Sequence, residues 1–344
     1  MPKLRYIVTS IAAALAVEGA AAQPAETFYA GKTVRILIGF DVGGQYGQFA
    51  RLAATHLRQH IPANPSLIVQ SMPGASGITA MNYLTNVAPQ DGTTLALVTV
   101  GVIQEGLLES PAKFDPRQLR WIGRMASVMQ IGIAATSSGI RSLDDAKARP
   151  FVAGGIGANS LPTLNFRLAN EMAGTRFKLV TGYKGTAEMH LAMERGEIHA
   201  YNNAWDFVQD RHLPDVVSGK IAIIFVNGLR KVPELARVPN LADFARSDVE
   251  RSFMRIYSAG TEIGRSLVAP PGIPLERLAT LRAAFAAMLA DAAFRADAAA
   301  QSIRVEPMEG AQLAAFADDV LGMPAATVAA ARGFYAKVLD EPKP

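Results

Sequence analysis

What most constrains this chain is a repeated order of β-rich runs, glycine loops and amphipathic helices. Residues 33–39 (TVRILIG) are aliphatic and β-branched, and they lead into a loop with glycines at 43, 44 and 47. Tyr46, Phe49, Ala50, Ala53 and Leu57 then recur at helical spacing, with Gln48, Arg51, Thr55 and Arg58 off that face. Pro62 and Pro65 end the helix, and 67–70 reads as a second strand. Pro73-Gly74-Ala75-Ser76-Gly77 opens a second helix that runs to about Val87. A turn at Pro89-Gln90-Asp91-Gly92 precedes a third strand, 93–100. Strand, glycine loop, helix and strand in this order form the βαβ unit of an open parallel sheet.

The same order returns in the middle of the chain. Residues 131–135 and 151–153 read as strands, and 154–159 as a glycine loop. Leu161, Leu164, Leu168 and Met172 line one face of the following helix, which Gly174 stops. A strand at 178–181 meets Gly182-Tyr183-Lys184-Gly185, and a helix then runs to Gly196. Residues 197–201 form a strand ending at Asn202 and Asn203, for which a turn role and a ligand contact are equally open, and 221–226 form another. After about Gly264 the character changes. Pro270-Pro271-Gly272-Ile273-Pro274 introduces a helix through Leu278, Leu281, Phe285 and Leu289. The Ala-rich stretch 283–300 favours helix, and a last helical region, 311–339, is interrupted at Gly322 and Pro324. Two α/β units imply two lobes facing each other. Ligands of such sheets bind beyond the carboxyl ends of the strands, where helix N-termini favour anions.

The N-terminal segment points to export. Lys3 and Arg5 precede an apolar run at 6–17, Glu18-Gly19 breaks it, and Ala20-Ala21-Ala22 stands before Gln23. This reads as a secretory signal peptide over 1–22, cleaved near Ala22, which directs the chain to the periplasm. The run is shorter than the roughly 20 apolar residues needed to span a bilayer. With no cysteine, a lipoprotein anchor, disulfides, thiol catalysis and thiolate metal sites are excluded. A hydrophobic fraction of 50% supplies a sizeable core. The net charge of +4 is spread without a Lys/Arg stripe interleaved with aromatics, which argues against nucleic acid as a partner.

Chemical motifs are few. There is no G-x-S-x-G elbow, Walker A loop, β-lactamase-type S-x-x-K or H-E-x-x-H. Gly154, Gly155 and Gly157 miss the spacing of a dinucleotide fingerprint. His56 and His60 lie four apart on a helix without an acidic residue or third histidine nearby in sequence, so they read as a solvated face and not as a metal site. Asp144 and Asp145 after Ser142 mark a helix start. Trp121 and Trp205 read as packing residues, with a cleft position as the alternative for Trp205 because it follows the Asn pair. The expectation is therefore no catalytic group, no metal and no cofactor.

Four segments occur in a specific order: Ile38-Gly39-Phe40-Asp41-Val42-Gly43-Gly44, Ala50-Arg51, Met72-Pro73-Gly74-Ala75-Ser76-Gly77 and Ala88-Pro89-Gln90-Asp91-Gly92-Thr93. Downstream come 154–160 before a helix, Gly182-Tyr183-Lys184-Gly185, Gly196-Glu197-Ile198 and Val268-Ala269-Pro270-Pro271-Gly272-Ile273-Pro274. Over nearly the whole chain beyond the signal segment, this order resembles the Bug family, the TctC-like extracytoplasmic receptors of tripartite tricarboxylate transporters. The resemblance implies an α/β, two-lobed periplasmic-binding-protein fold of type II, a Venus flytrap with the ligand cleft between the lobes. Residues 23–127 and 265–344 would form lobe 1 and 128–264 lobe 2, with crossing segments near 125–130 and 257–266 as the hinge. It further implies a monomeric, non-enzymatic receptor that captures a small organic acid and delivers it to the permease subunits of a tripartite transporter. Two other readings stand beside it: a sensor or accessory protein for a signalling or catabolic partner, and a periplasmic enzyme.

Carried over by position, the ligand-facing residues of lobe 1 would be Phe40, Gly43, Gly44, Ser76 and Thr99. Those of lobe 2 would be Asn159, Ser160, Tyr183 and Asn203, with Lys184 as a cation beside the same cleft. The family's acidic residue after the double glycine falls on Gly47, its prolines fall on Gly39, Asp41 and Val42, and its serine-rich loop is the hydroxyl-poor segment 154–160. These departures sit on the ligand-facing loops and so bear on the ligand rather than the fold.

Overall fold

In the computed structural model the described residues are 25–109, 112–157 and 159–340, so the expected signal peptide and its cleavage site near Ala22 lie outside them. The strands, in chain order, are β1 (Thr33–Ile38), β2 (Ser66–Ser71), β3 (Thr94–Leu97), β4 (Arg120–Ala126), β5 (Gln130–Ala135), β6 (Phe151–Gly155), β7 (Phe177–Thr181), β8 (Ala200–Ala204), β9 (Ile221–Asn227), β10 (Arg265–Ala269) and β11 (Met308–Glu309). They form two sheets, ordered β11-β4-β10-β3-β1-β2 and β7-β6-β8-β5-β9. The two-lobed α/β architecture follows from this division.

The βαβ repeats produce the expected parallel pairs: β1 runs parallel to β2 and β3, and β6 to β7 and β8. Both sheets are nevertheless mixed, not purely parallel. β10 runs antiparallel to β3 and β4, and β5 antiparallel to β8 and β9. The reason is topological. β5 follows the short crossing 127–129 out of β4, and β10 follows the return of the chain to the first sheet, so each enters its sheet reversed.

Helix Gln45–Leu57 shows how sequence pattern becomes packing. Phe49, Ala50, Leu52, Ala53 and Leu57 are buried, and the helix lies on β1 and β2. Full burial of a residue such as Leu57 contributes roughly 1.5–3 kcal/mol. His56 and His60 correct the expectation of a solvated face. His56 is only 7% exposed, and its Nε2 lies 2.9 Å from Asp297, while His60 Nε2 lies 3.2 Å from Asp291. The acids come from helix Ala292–Ala300 and its N-cap, more than two hundred residues away, which is why no local pattern shows them. Among the described residues no group of three His, Cys, Asp or Glu side chains is placed to hold a metal ion.

Helix Asp248–Ile263 is not among the elements read from the sequence, although its amphipathic spacing and its start are both written there. Ser247 Oγ accepts from Glu250 N at 3.2 Å and Glu250 accepts from Ser247 N at 2.9 Å, a full capping box. The helix packs on helices Val102–Leu108, Gly310–Leu321 and Ala325–Leu339, beside the first sheet. Gly260 allows that approach, since a Cβ there would meet the Val100 carbonyl at 1.6 Å. At its end Gly264 turns the chain into β10 with φ +53°.

One apolar cluster runs behind the cleft and joins the halves, from Val98, Phe253 and Phe334 to Leu164, Phe166 and Phe225. A buried polar chain stitches it. Asn227 donates to Asn165 Oδ1 at 3.0 Å, Tyr257 OH donates to the same oxygen at 3.1 Å, and Ser258 Oγ donates to Asn227 Oδ1 at 2.6 Å. At the crossings, Arg124 Nη1 lies 3.0 Å and Arg230 Nε 3.1 Å from the Glu262 carboxylate, and Arg230 and Ser127 both bond Glu306.

One further expectation needs correction, and one alternative is resolved in favour of packing. Asn202 and Asn203 lie inside β8, opposite Gly132 and Ile131, and not in a turn beyond it. Trp205, 6% exposed, packs in the core of the second half and does not reach the cleft wall.

Candidate functional site

The two sheets face each other across a cavity of about 770 Å³, within the usual range for small-molecule sites of roughly 300–1,000 Å³. Its first wall comes from the loops after β1 and β3, the start of helix Val102–Leu108 and the first residue of β10. Its second wall comes from the loop after β6, the start of helix Thr186–Glu194 and the end of β8. Of the residues singled out from sequence, Phe40, Gly43, Gly44, Ser76, Thr99, Asn159, Ser160, Lys184 and Asn203 line this cavity. Tyr183 does not; its ring packs against the apolar core of the second half.

The first wall is tightly built. Gly43 N donates to Asp41 Oδ1 at 2.7 Å, closing the loop as an Asx turn. That loop lies directly on Gly47, where a Cβ would sit 1.9 Å from the Val42 carbonyl. Any side chain at 47, acidic or not, would therefore push the loop away. The Phe40 and Tyr46 rings stack at 4.6 Å, and Tyr46 OH accepts from Val100 N at 3.1 Å. Ser76 is held in the left-handed region at φ 57°, a conformation that costs a non-glycine residue about 1 kcal/mol or more. Gly77, at φ +106°, leaves room for Thr99, whose Cγ2 would lie 2.3 Å from a Cβ.

Two charged-type side chains complete this wall, and sequence reading missed both. Arg265 is 4% exposed, and its guanidinium lies over the Tyr46 ring at 4.3 Å, a cation–π contact. Its Nη2 donates to Gln45 Oε1 at 3.1 Å, and its Nε has no partner. No carboxylate lies within ion-pair reach of it among the described residues. Its signal in the sequence is a lone arginine heading an otherwise uncharged strand, R-S-L-V-A, directly after a glycine. Glu105, 5% exposed, is bonded by Thr99 Oγ1, which lies 3.1 Å from each carboxylate oxygen. Burial first, and then the charge of Glu109, push its carboxyl up to about 8 against the pull of the Thr99 hydrogen bond.

The second wall is mostly neutral. Asn203 Oδ1 accepts from Ala204 N at 2.9 Å while its buried Nδ2 has no partner. Asn202 Nδ2 donates to Ile131 O at 2.8 Å and its Oδ1 has none. Ser160 occupies the N-cap of helix Leu161–Ala173, but its hydroxyl bonds Gly157 O at 2.9 Å and Thr163 Oγ1 at 3.0 Å instead of capping. Lys184 and Arg211 add cations on this side of the cavity. Buried amide groups left unsatisfied on one wall and an unpaired guanidinium on the other suit a small polar anion.

Comparison with known proteins agrees with this geometry. The chain matches the family model of the tripartite tricarboxylate transporter family receptor, TctC, over residues 49–330. Its fold is similar to that of a TctC solute-binding protein from Polaromonas, with 20% identity and a TM-score of 0.64 over 90% of this chain and 99% of that one. An R. palustris protein solved with adipate shares 21% identity at a TM-score of 0.61, over 88% and 97% of the two chains. MatC from Rhodopseudomonas palustris, solved with bound malate, shares 17% at a TM-score of 0.61, over 86% and 99%. No curated protein sequence matches the chain. With a family match spanning most of its length, the chain belongs to the TctC family of tripartite tricarboxylate transporter receptors, a family of solute-binding proteins and not of enzymes.

Proposed function

We propose that this receptor works in the periplasm, captures a small carboxylate between its lobes and hands it, chemically unchanged, to the permease of a tripartite transporter. The observation that carries the carboxylate assignment is Arg265, a buried guanidinium in the cleft without an acidic partner. A charge so placed is costly unless something neutralises it, and a planar carboxylate matches the guanidinium fork. The adipate and malate in the two neighbours of similar fold support the same class.

Lobe 1 would comprise residues up to 127 and from 265 onward, and lobe 2 residues 128–264, except that helix Asp248–Ile263 travels with lobe 1, on whose helices it packs. Closure needs a ligand that binds the closed form better than the open one. A carboxylate held by Arg265 on one side and by Asn203, Ser160 and Lys184 on the other meets that requirement, with hinge motion at 127–129 and, in place of 257–266, just before helix Asp248–Ile263. The protein would act as a monomer and without a cofactor.

The test is thermal unfolding of the purified protein against mono-, di- and tricarboxylates, their neutral amides and sugars. A ligand that binds only the folded form stabilises it by about 2.7 kcal/mol at one hundred times its Kd. Saturable stabilisation by carboxylates alone, with the ligand recovered intact, is the expected result. Stabilisation by neutral solutes and by no carboxylate would overturn the assignment.

A further inference from the structure

We propose that Glu105 meets the ligand as a neutral carboxylic acid, donating its proton in a hydrogen bond to an acceptor oxygen of the bound carboxylate. The inference rests on the carboxylate reading above and assigns a second recognition element to the same cleft.

The geometry is specific. Glu105 lies in the cavity wall at the first turn of helix Val102–Leu108, and its side chain lies over Gly101, where a Cβ would meet Oε1 at 2.5 Å. Thr99 Oγ1 is close to both oxygens but has a single proton to give. No Lys, Arg or His lies within ion-pair reach of Glu105 among the described residues. A buried carboxyl with one hydroxyl donor and no counter-ion keeps its proton. That leaves an O–H whose natural acceptor is whatever fills the cavity.

The surrounding groups reinforce this state. On the same helix, Glu109 accepts from Tyr335 OH at 2.9 Å and from Gln104 Nε2 at 3.2 Å, and it adds negative charge. Helix Ala325–Leu339 presents Tyr335, whose own hydroxyl is pushed up by burial, and Arg332, which is committed to the Leu107 carbonyl at 2.5 Å. Helix Asp248–Ile263 presents Tyr257, fully buried and held neutral. In segment Pro116–Gln118, Arg117 is turned to Asp115 at 2.9 Å. Arg265 shares the cavity but forms no ion pair with Glu105, and its Nε is left without a partner. The carboxyl is pushed up to about 8, so it is protonated at neutral pH.

Two oxygens at a distance are thus recognised by opposite means, one carboxylate by the Arg265 cation and a second acceptor by the Glu105 acid. Binding that requires the Glu105 proton is insensitive to pH below about 7 and weakens toward tenfold per pH unit above about 8, with one proton taken up per ligand.

The experiment is isothermal titration of the purified protein with the tightest member of the malonate-to-pimelate series at pH 6.5, 8 and 9.5, in buffers of different ionisation enthalpy. In parallel, carbon-13 NMR of glutamate-labelled protein without ligand follows the carboxyl directly. We expect the alkaline loss of affinity, proton uptake at pH 9.5, and a carboxyl titrating near 8 that disappears in Glu105→Gln. That variant keeps an N–H donor and should bind at pH 6.5 within about tenfold of wild type, with its alkaline loss abolished. Carboxylate binding with a flat pH profile, or the same alkaline loss in Glu105→Gln, would overturn the inference and leave the receptor reading standing. No binding by any member at any pH would overturn both.

Discussion

The two walls of the cleft are built from the same sequence device, a glycine loop between strand and helix, yet they place their tight glycines differently. On the first wall the glycines are sites of close approach: Gly47 lies under the Val42 carbonyl and Gly77 under Thr99. On the second wall the tight glycines, Gly154 and Gly155, lie in β6, where a Cβ would meet Ile198 at 2.6 Å and Thr163 Oγ1 at 2.2 Å, whereas Gly157 in the loop has nothing within 4 Å of where a Cβ would be. The first wall carries the buried charged-type groups Arg265 and Glu105, whereas the second offers Asn203, Ser160 and a cation on a long stem, Lys184. A rigid wall can hold a desolvated charge in one place, and a neutral wall with a looser loop can close over it. On the proposed function, the first wall would set which ligand binds and the second would seal it in.

The sharpest way to break this contrast is to load the glycines. Gly47→Asp, which restores the family's acidic residue, should displace the 41–44 loop and lower stability by about 1–3 kcal/mol, with a large loss of ligand affinity. Gly157→Ala should change stability by no more than about 0.5 kcal/mol. Denaturant unfolding of both variants checks this; equal costs would mean the two loops do not differ in tightness.

Next in size is the cost of ionising the first wall. The unfolded chain loses the Glu105 proton near pH 4.3 and the folded chain only near about 8. Between these values the folded form holds the extra proton, so stability falls as pH rises through this window. Glu105→Gln should remove that fall and be the more stable form at pH 8.5, by up to on the order of 4 kcal/mol. Urea melts at pH 5 and 8.5 measure it, and parallel pH dependence in both proteins would show that Glu105 is not the group responsible.

On the second wall, Lys184→Ala should weaken carboxylate binding by only about two- to fivefold, less so at high salt. Tyr183→Ala should leave the intrinsic contact unchanged, since its ring faces the apolar core. A larger effect from Tyr183 than from Lys184 would reverse the placement of that loop. The smallest effect lies outside the cleft. Asp297 is held below the usual carboxylate range, first by the His56 hydrogen bond, and Asp291 by the Ala293 amide and His60. Their contribution is present above the ordinary carboxylate value and lost as pH falls through the lowered one. Asp297→Asn should therefore flatten the acid limb slightly and leave neutral pH nearly untouched.

How much of this was legible depends on whether the signal is local. The βαβ runs, the helix face of Phe49, Ala53 and Leu57, and the cavity-lining loops follow from spacing and motif order in single segments. β4 and β10 were not visible, because their partners lie far away in sequence, whereas helix Asp248–Ile263 was missed although its capping box and amphipathic spacing are local. Asn203 looked like a turn residue because amides favour turns, whereas pairing with Ile131 overrides that preference. Arg265 and Glu105 escaped notice for the same reason. Neither belongs to a motif, and each becomes remarkable in chemistry only when folding buries it without a charged partner.

The most direct test of the account is the carboxylate affinity of Arg265→Met, measured by calorimetry beside wild type, with circular dichroism to confirm the fold. Loss of the guanidinium should cost about 2–5 kcal/mol, roughly thirtyfold or more in Kd, with the fold intact and the neutral amide of the ligand bound no worse than by wild type. A folded Arg265→Met variant that binds the carboxylate within a few-fold of wild type would contradict the claim that this buried cation is what the ligand meets.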